Sequence, residues 1–267
     1  MAALLAVALA AFWPCLFSGG EARGAAGTVD AVTVQSSGRS RAGVALSTPP
    51  ESEAPARAGT ALSGPPESAE PEARYVIYLH GAILETEGAE AVHPRFGRYE
   101  YHSILDSLAS RGAVVLSELR GAGTDGEAYA TTVEGWVDSL ASLGVPPDHV
   151  TVLGFSKGGG IAMRACSLIA DERVNYVFMA CCPRGMTEWP EPAFRGRILS
   201  IYEASDAFAG SCRGAVLGGP GRAADGAFGV VFREIEVDTG REHGAFYRPI
   251  PEWLDPAVAW VMGEEPE

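Results

Sequence analysis

Lysine is almost missing from this chain: Lys157 is the only one, against nineteen arginines, and the 20 basic residues are outnumbered by 34 acidic ones for a formal charge of −14. Such a surface repels a phosphate backbone, and neither a basic stripe nor an aromatic nucleic-acid motif is present, which excludes nucleic acid as a partner. Histidine is scarce too, five in all. No histidines and carboxylates have the spacing of metal ligands, so neither a metal nor a cofactor is expected. Between residues 18 and 73 aromatics and helical periodicity are nearly absent, while Gly, Pro, Ser, Ala and Glu dominate. A segment of that composition cannot bury a core.

What remains divides the chain in three. Ala2 to Phe17 is an apolar run broken only by Pro14, with small residues after it, and residues 1–26 read as a signal peptide. No basic side chain precedes Glu21, so an uncleaved membrane anchor stays open beside the secreted or periplasmic reading. Residues 27–73 read as a disordered linker, in which ALSTPPES at residues 45–52 recurs as ALSGPPES at residues 61–68, the mark of slippage rather than of a solenoid. Residues 74–267 form the expected folded domain, long enough for one α/β core and with no stable membrane span once the signal is cleaved. Residues 21–73 hold only seven of the acids and four of the arginines, so the folded part is itself acidic.

The most informative stretch is VTVLGFSKGGG, residues 150–160. An apolar β-rich run passes through Gly-x-Ser-x-Gly directly into helix-compatible sequence, the pattern of a nucleophile elbow. Gly154 and Gly158 flank Ser156 because a sharp strand-to-helix turn strains the central residue and leaves no room for neighbouring Cβ atoms. Two further residues stand at strand ends. Residues 197–202 read as a buried parallel strand followed by Glu203 to Asp206, and residues 229–237 as a last strand followed by a loop carrying His243. Asp206 is the preferred acid by strand-end spacing, with Glu203 its rival.

In the order Ser156, Asp206, His243, residues 74–263 resemble an α/β-hydrolase-fold serine hydrolase, and the compact layout without a lid is similar to the dienelactone-hydrolase-like esterases. The resemblance implies that His243 takes the proton of Ser156 and later returns it to the leaving group, while Asp206 holds the imidazole. It also implies that the backbone N–H groups of Ala82, in the His-Gly-x turn after residues 74–80, and of Lys157 receive the oxyanion. Dienelactone hydrolases proper carry a cysteine nucleophile. Ser156 departs from that pattern, so their substrate class does not transfer. His80 is expected to brace the oxyanion loop, with a general-base role as the competing view. Lys157 would serve through its backbone alone or, in a sharper reading, draw an anionic substrate together with Arg95, Arg98 or Arg120. His93 and His102 are either surface residues or part of the cleft rim.

Strands are expected near residues 74–80, 113–119, 150–154, 174–180, 197–202 and 229–237, with a crossover helix on Tyr129, Val133, Trp136, Val137, Leu140 and Leu143. A last helix is expected from Asp255 and Pro256. The expected fold is α/β: an α/β-hydrolase fold reduced to a six-stranded, mainly parallel sheet flanked by helices, without a lid domain. Candidate pocket walls are Phe155, Met186, Trp189, Phe208, Phe246 and Tyr247. In an oxidising compartment Cys182 and Cys212, at neighbouring strand ends, make the favoured disulfide, with Cys181 as the alternative to Cys182 and four reduced, buried cysteines as the competing view. The expected activity is cleavage of small-molecule or polymeric esters through a Ser156 acyl-enzyme. The alternative is a binding protein that keeps the fold without catalysis.

Overall fold

Alternation along the first strand sets the two layers of the molecule. Tyr75, Ile77 and Leu79 enter one buried cluster and Val76 and Tyr78 the other, as expected when successive side chains leave opposite faces of a strand covered on both sides. The computed structural model describes residues 68–169, 171–187, 194–218 and 230–266. The expected signal peptide, the linker up to residue 67 and Trp189 lie outside the described residues. The described residues belong to one unit, Ala58–Glu267.

In chain order the elements are β1 (Arg74–Leu79), α1 (Ile83–Glu87), β2 (Val92–His93), β3 (Gly97–Arg98), α2 (Tyr101–Ser110), β4 (Ala113–Leu116), α3 (Gly126–Ser142), β5 (Val150–Phe155), α4 (Lys157–Leu168), β6 (Asn175–Met179), β7 (Cys182–Pro183), β8 (Gly196–Glu203), β9 (Ala209–Gly210), α5 (Arg213–Leu217), β10 (Val230–Val237) and α6 (Pro251–Val261). Six strands form one sheet in the order β10-β8-β6-β5-β1-β4, and every neighbouring pair is parallel. With α3 and α4 on one face and α2 and α6 on the other, this is the α/β-hydrolase fold that the sequence resembles. The chain moves outward from β1 to β4 and then returns across β1 to β5. The strand order therefore reverses between β1 and β5, and a crevice opens at their carboxyl ends.

Local signals explain the helices that frame this crevice. Asp125 caps α3 by accepting the N–H groups of Glu127 and Ala128, each at 2.9 Å, and Ala130, Val133, Trp136, Val137 and Leu140 bury the predicted face. The last helix starts earlier than Asp255. Pro251 occupies its first turn and Pro256 lies inside it. Both prolines suit a helix start, and burial of Trp253 and Leu254, with Trp253 Nε1 donating to Arg248 O at 2.9 Å, fixes the earlier turn. At the other end, Ala69 and Ala73 pack against the α3–α4 face, and His149 Nδ1 lies 3.0 Å from Pro71 O. Among the described residues no helix is long and apolar enough to cross a membrane.

Candidate active site

Ser156 stands between β5 and α4 with φ 54° and ψ −117°. A positive φ costs a residue with a Cβ of order 1–3 kcal/mol, and the surroundings must enforce it. They do: Ser156 N–H donates to Met179 O on the neighbouring strand at 2.9 Å, and Ser156 O accepts from Gly160 N–H at 3.0 Å. The flanking glycines are required sterically. A Cβ on Gly154 would lie 2.3 Å from Gly158 O, and one on Gly158 would lie 2.0 Å from Leu79 O. The first turn of α4 is thus seated on the end of β1.

Three residues from three strand ends meet above this turn. His243 Nε2 lies 3.0 Å from Ser156 Oγ, and His243 Nδ1 lies 2.7 Å from Asp206 Oδ2. A carboxylate can only accept, so Nδ1 carries the proton and Nε2 is left as the acceptor for the serine hydroxyl. Asp206 is fully buried, and its other oxygen takes the N–H of Phe208 at 2.8 Å. The sequence rival for the acid does something else. Glu203 is buried at the end of β8 and accepts from Ser205 N at 2.7 Å, Ser205 Oγ at 2.6 Å, Thr239 N at 3.0 Å and Thr239 Oγ1 at 3.2 Å. It pins the loop before Asp206 to the loop before His243.

Burial pulls the Glu203 carboxyl upward, but the hydrogen bonds from Ser205 and Thr239 outweigh it and hold the group below its ordinary value. A carboxyl lowered on folding contributes stability above its unfolded pKa and loses that contribution as pH falls through the folded value. Glu203→Gln should therefore destabilise the protein at neutral pH by on the order of 1–3 kcal/mol, and the gap to wild type should narrow on acidification. Thermal melts at neutral and acid pH measure this, and a gap that widens toward low pH would contradict it.

The Asp206 loop has a second tether. Cys182 and Cys212 are joined by a disulfide 30 residues apart in sequence, and β7 pairs with β9 beside it. Arg184, next to β7, donates through Nε to Asp206 O and through Nη2 to Ala204 O at 2.7 Å. Cys181 keeps its thiol, which burial pushes up to about 12. Among the described residues the cluster of Cys181, Cys182 and Cys212 is the group of potential metal ligands lying within 4.8 Å, and two of its sulfurs are spent on each other. Replacing both bridged cysteines by alanine should cost roughly 2–4 kcal/mol by freeing the unfolded chain. Mild reduction should lower any turnover before near-UV dichroism reports global unfolding, because the loop carrying Asp206 loosens first. Coincident loss of both signals would argue against a local role.

His80 is not placed to act as a base. It is fully buried, its Nε2 accepts Arg120 N–H at 2.9 Å, and Nδ1 lies 2.8 Å from Gly81 O. Burial first, and the Arg120 charge second, push its pKa down to about 3. Ala82 precedes α1 and Lys157 opens α4, positions whose N–H groups lack an intrahelical acceptor. Among the described residues neither N–H donates to another protein group. The sharper reading of Lys157 as a lure for anions is overturned by its partners. Its Nζ donates to Glu85 Oε2 at 2.6 Å and to Thr124 O at 2.7 Å. Arg95, Arg98 and Arg120 are likewise paired, with Glu242, Glu90 and Glu85.

No family model matches the chain, and no curated protein does. Among solved structures it is similar to the crystal structure of Arabidopsis thaliana SOBER1, at 12% identity over 72% of this chain and 99% of that one, with a TM-score of 0.42. A variant of the same protein is similar at 14% identity, over 71% and 98%, with a TM-score of 0.41.

The expected pocket walls divide between the core and the surface beside His243. Phe155, Phe246 and Tyr247 are buried, with the Phe155 ring 4.8 Å from that of His243 and 5.5 Å from that of Phe246. They are the core beneath His243. The aromatic rings beside it are Phe208, which is 43% exposed with its centroid at 5.9 Å, and Phe96 at 6.2 Å. Phe96 was not singled out in the sequence. It lies in the β2–β3 hairpin, stacks on His93 at 4.4 Å, and sits where a Cβ on Gly244 would come within 2.8 Å. This contact puts His93 near the rim, while His102 is exposed on α2. Met186 packs against the α3–α4 face.

Proposed function

We propose that this protein is a serine hydrolase that cleaves carboxylic esters through an acyl-enzyme on Ser156. One observation carries the reading: a hydroxyl, an imidazole and a buried carboxylate in hydrogen-bonded sequence, 3.0 and 2.7 Å apart, at the crevice where the strand order reverses. In this reading His243 Nε2 removes the Ser156 proton as Oγ attacks the ester carbonyl. The N–H groups of Ala82 and Lys157 receive the developing oxyanion. The imidazolium, stabilised by Asp206, then protonates the departing alcohol. Water attacks the acyl-enzyme by the same route in reverse. A fold kept only for binding would have no use for a strained serine aligned on an imidazole that a buried carboxylate orients.

The exposed Phe208 and the neighbouring Phe96 favour an apolar group beside the scissile bond, in a small-molecule or a polymeric ester. The proposal also places the protein in the dienelactone-hydrolase-like group of esterases, with serine in place of cysteine, on the motifs of its sequence. Secretion is part of the proposal, supported by the apolar run from Ala2 to Phe17 and by a disulfide of the kind that persists outside reducing compartments. The test is fluorophosphonate labelling of the purified protein, then a panel of p-nitrophenyl esters of increasing acyl length. Labelling with turnover supports the proposal, and a protein that neither labels nor hydrolyses any member refutes it.

A further inference from the structure

The sequence contains nineteen arginines and one lysine, and that lysine lies half-buried against a carboxylate that the proposed mechanism does not use. Glu85 lies on α1, three residues beyond Ala82, and its backbone N–H donates to Ala82 O at 3.0 Å. Its carboxylate divides between two cations. Oε2 takes Lys157 Nζ at 2.6 Å, and Oε1 takes Arg120 Nε at 3.1 Å. The side chains of Arg120 and Glu85 are 0% and 4% exposed, that of Lys157 15%. Arg120 in turn reaches the turn after β1 twice, through its backbone N–H to His80 Nε2 and through Nη2 to His80 O. Lys157 reaches the loop before α3 at Thr124 O.

We infer that Glu85 is a positioning residue that sets the gap between the two N–H groups of the oxyanion site by bridging Lys157 to Arg120 across it. The inference rests on the serine-hydrolase reading above. Ala82 and Lys157 begin separate helices after separate strands, and no covalent geometry relates them. Gly81 completes the contact from below, since a Cβ there would meet the Phe155 ring at 3.0 Å and Ser156 Cβ at 3.6 Å. Donors for a tetrahedral oxygen must hold within a few tenths of an ångström, and shifts of about 1 Å cost on the order of a hundredfold in rate. An isolated buried ion pair stabilises little, because desolvation cancels most of its attraction. A carboxylate gripped from both sides is better explained by what it aligns.

Charge and alignment make opposite forecasts. If the cluster acted through its field on the oxyanion, removing the Lys157 cation would slow the reaction and removing the Glu85 anion would speed it. As a strut, it loses by either change. Lys157→Met and Glu85→Gln should each lower kcat roughly tenfold to a hundredfold with little change in KM, and Lys157→Arg should recover part of the loss. Should Glu85→Gln fail to fold, Glu85→Asp keeps the charge but withdraws the carboxylate, and kcat should again fall.

Amide hydrogen exchange gives a readout independent of turnover. In Lys157→Met, exchange in residues 80–87 and 118–124 should quicken while that of the β5 and β6 strands stays as in wild type. Unchanged exchange in the two loops overturns the strut whether or not the protein is active. So do opposite-signed kcat changes, or faster exchange with unchanged kcat. A wild type that neither labels nor turns over esters would refute the hydrolase reading instead, and the exchange result would still decide whether Glu85 holds the two loops together.

Discussion

Ser156→Ala should abolish fluorophosphonate labelling and cut ester turnover by about six orders of magnitude, leaving only what binding and the oxyanion donors supply. The loss belongs to chemistry and not to folding. The Ser156 side chain makes no cap hydrogen bond to α4, and alanine at φ 54° is no more strained than serine. The turn is enforced by backbone bonds to Met179 and Gly160 and by the contact of Gly158 with β1, all of which alanine keeps. Melting temperature should therefore stay near wild type. Labelling that persists in the variant would move the nucleophile elsewhere and remove the basis of the proposed function.

Asp206→Asn should lower kcat by roughly three to four orders of magnitude while the protein stays folded. An asparagine can still accept the Phe208 N–H through its carbonyl, which leaves its amide N–H facing His243 Nδ1. The imidazole then carries its proton on Nε2, where it opposes the Ser156 hydroxyl instead of accepting from it. Steady-state kinetics of this variant beside Glu203→Gln separate the two carboxylates. Glu203 touches neither Ser156 nor His243, so its loss should be felt in stability and only modestly in kcat. A larger fall in kcat for Glu203→Gln would exchange their roles.

Much of this arrangement could be read along the chain because it is local. Gly-x-Ser-x-Gly between an apolar run and a helix demands an elbow wherever the strand lies, and a β-rich run ending in a loop acid or a loop histidine marks a strand end. Six β-rich runs are visible in all, two of them ending in this way, and the sheet has those six strands. The start of α6 was missed because two prolines five residues apart both satisfy a helix N-terminus, and only the burial of Trp253 and Leu254 decides between them. The pocket is legible only in part for a related reason. Phe155 and Phe246, close in sequence to site residues, are drawn under His243 by the core, whereas of the two rings beside the imidazole Phe208 follows Asp206 by two residues and Phe96 comes from a hairpin far away in the chain.

By itself the sequence determined the α/β architecture, the elbow and the order of serine, acid and histidine, since each depends on residue periodicity and on steric demands within a few positions. Tertiary structure alone decided which acid meets His243, which sulfur pairs with Cys212 and what Lys157 is for. Glu203 and Asp206 are separated by a single turn, Cys181 and Cys182 by none, and side chains so close in sequence differ in role only through the direction in which the loop faces them. Lys157 finds Glu85 across more than seventy residues, through β1 and β5 becoming neighbours in the sheet. No spacing rule reaches that far, because the distance between two helix starts is set by strand pairing and not by the chain between them.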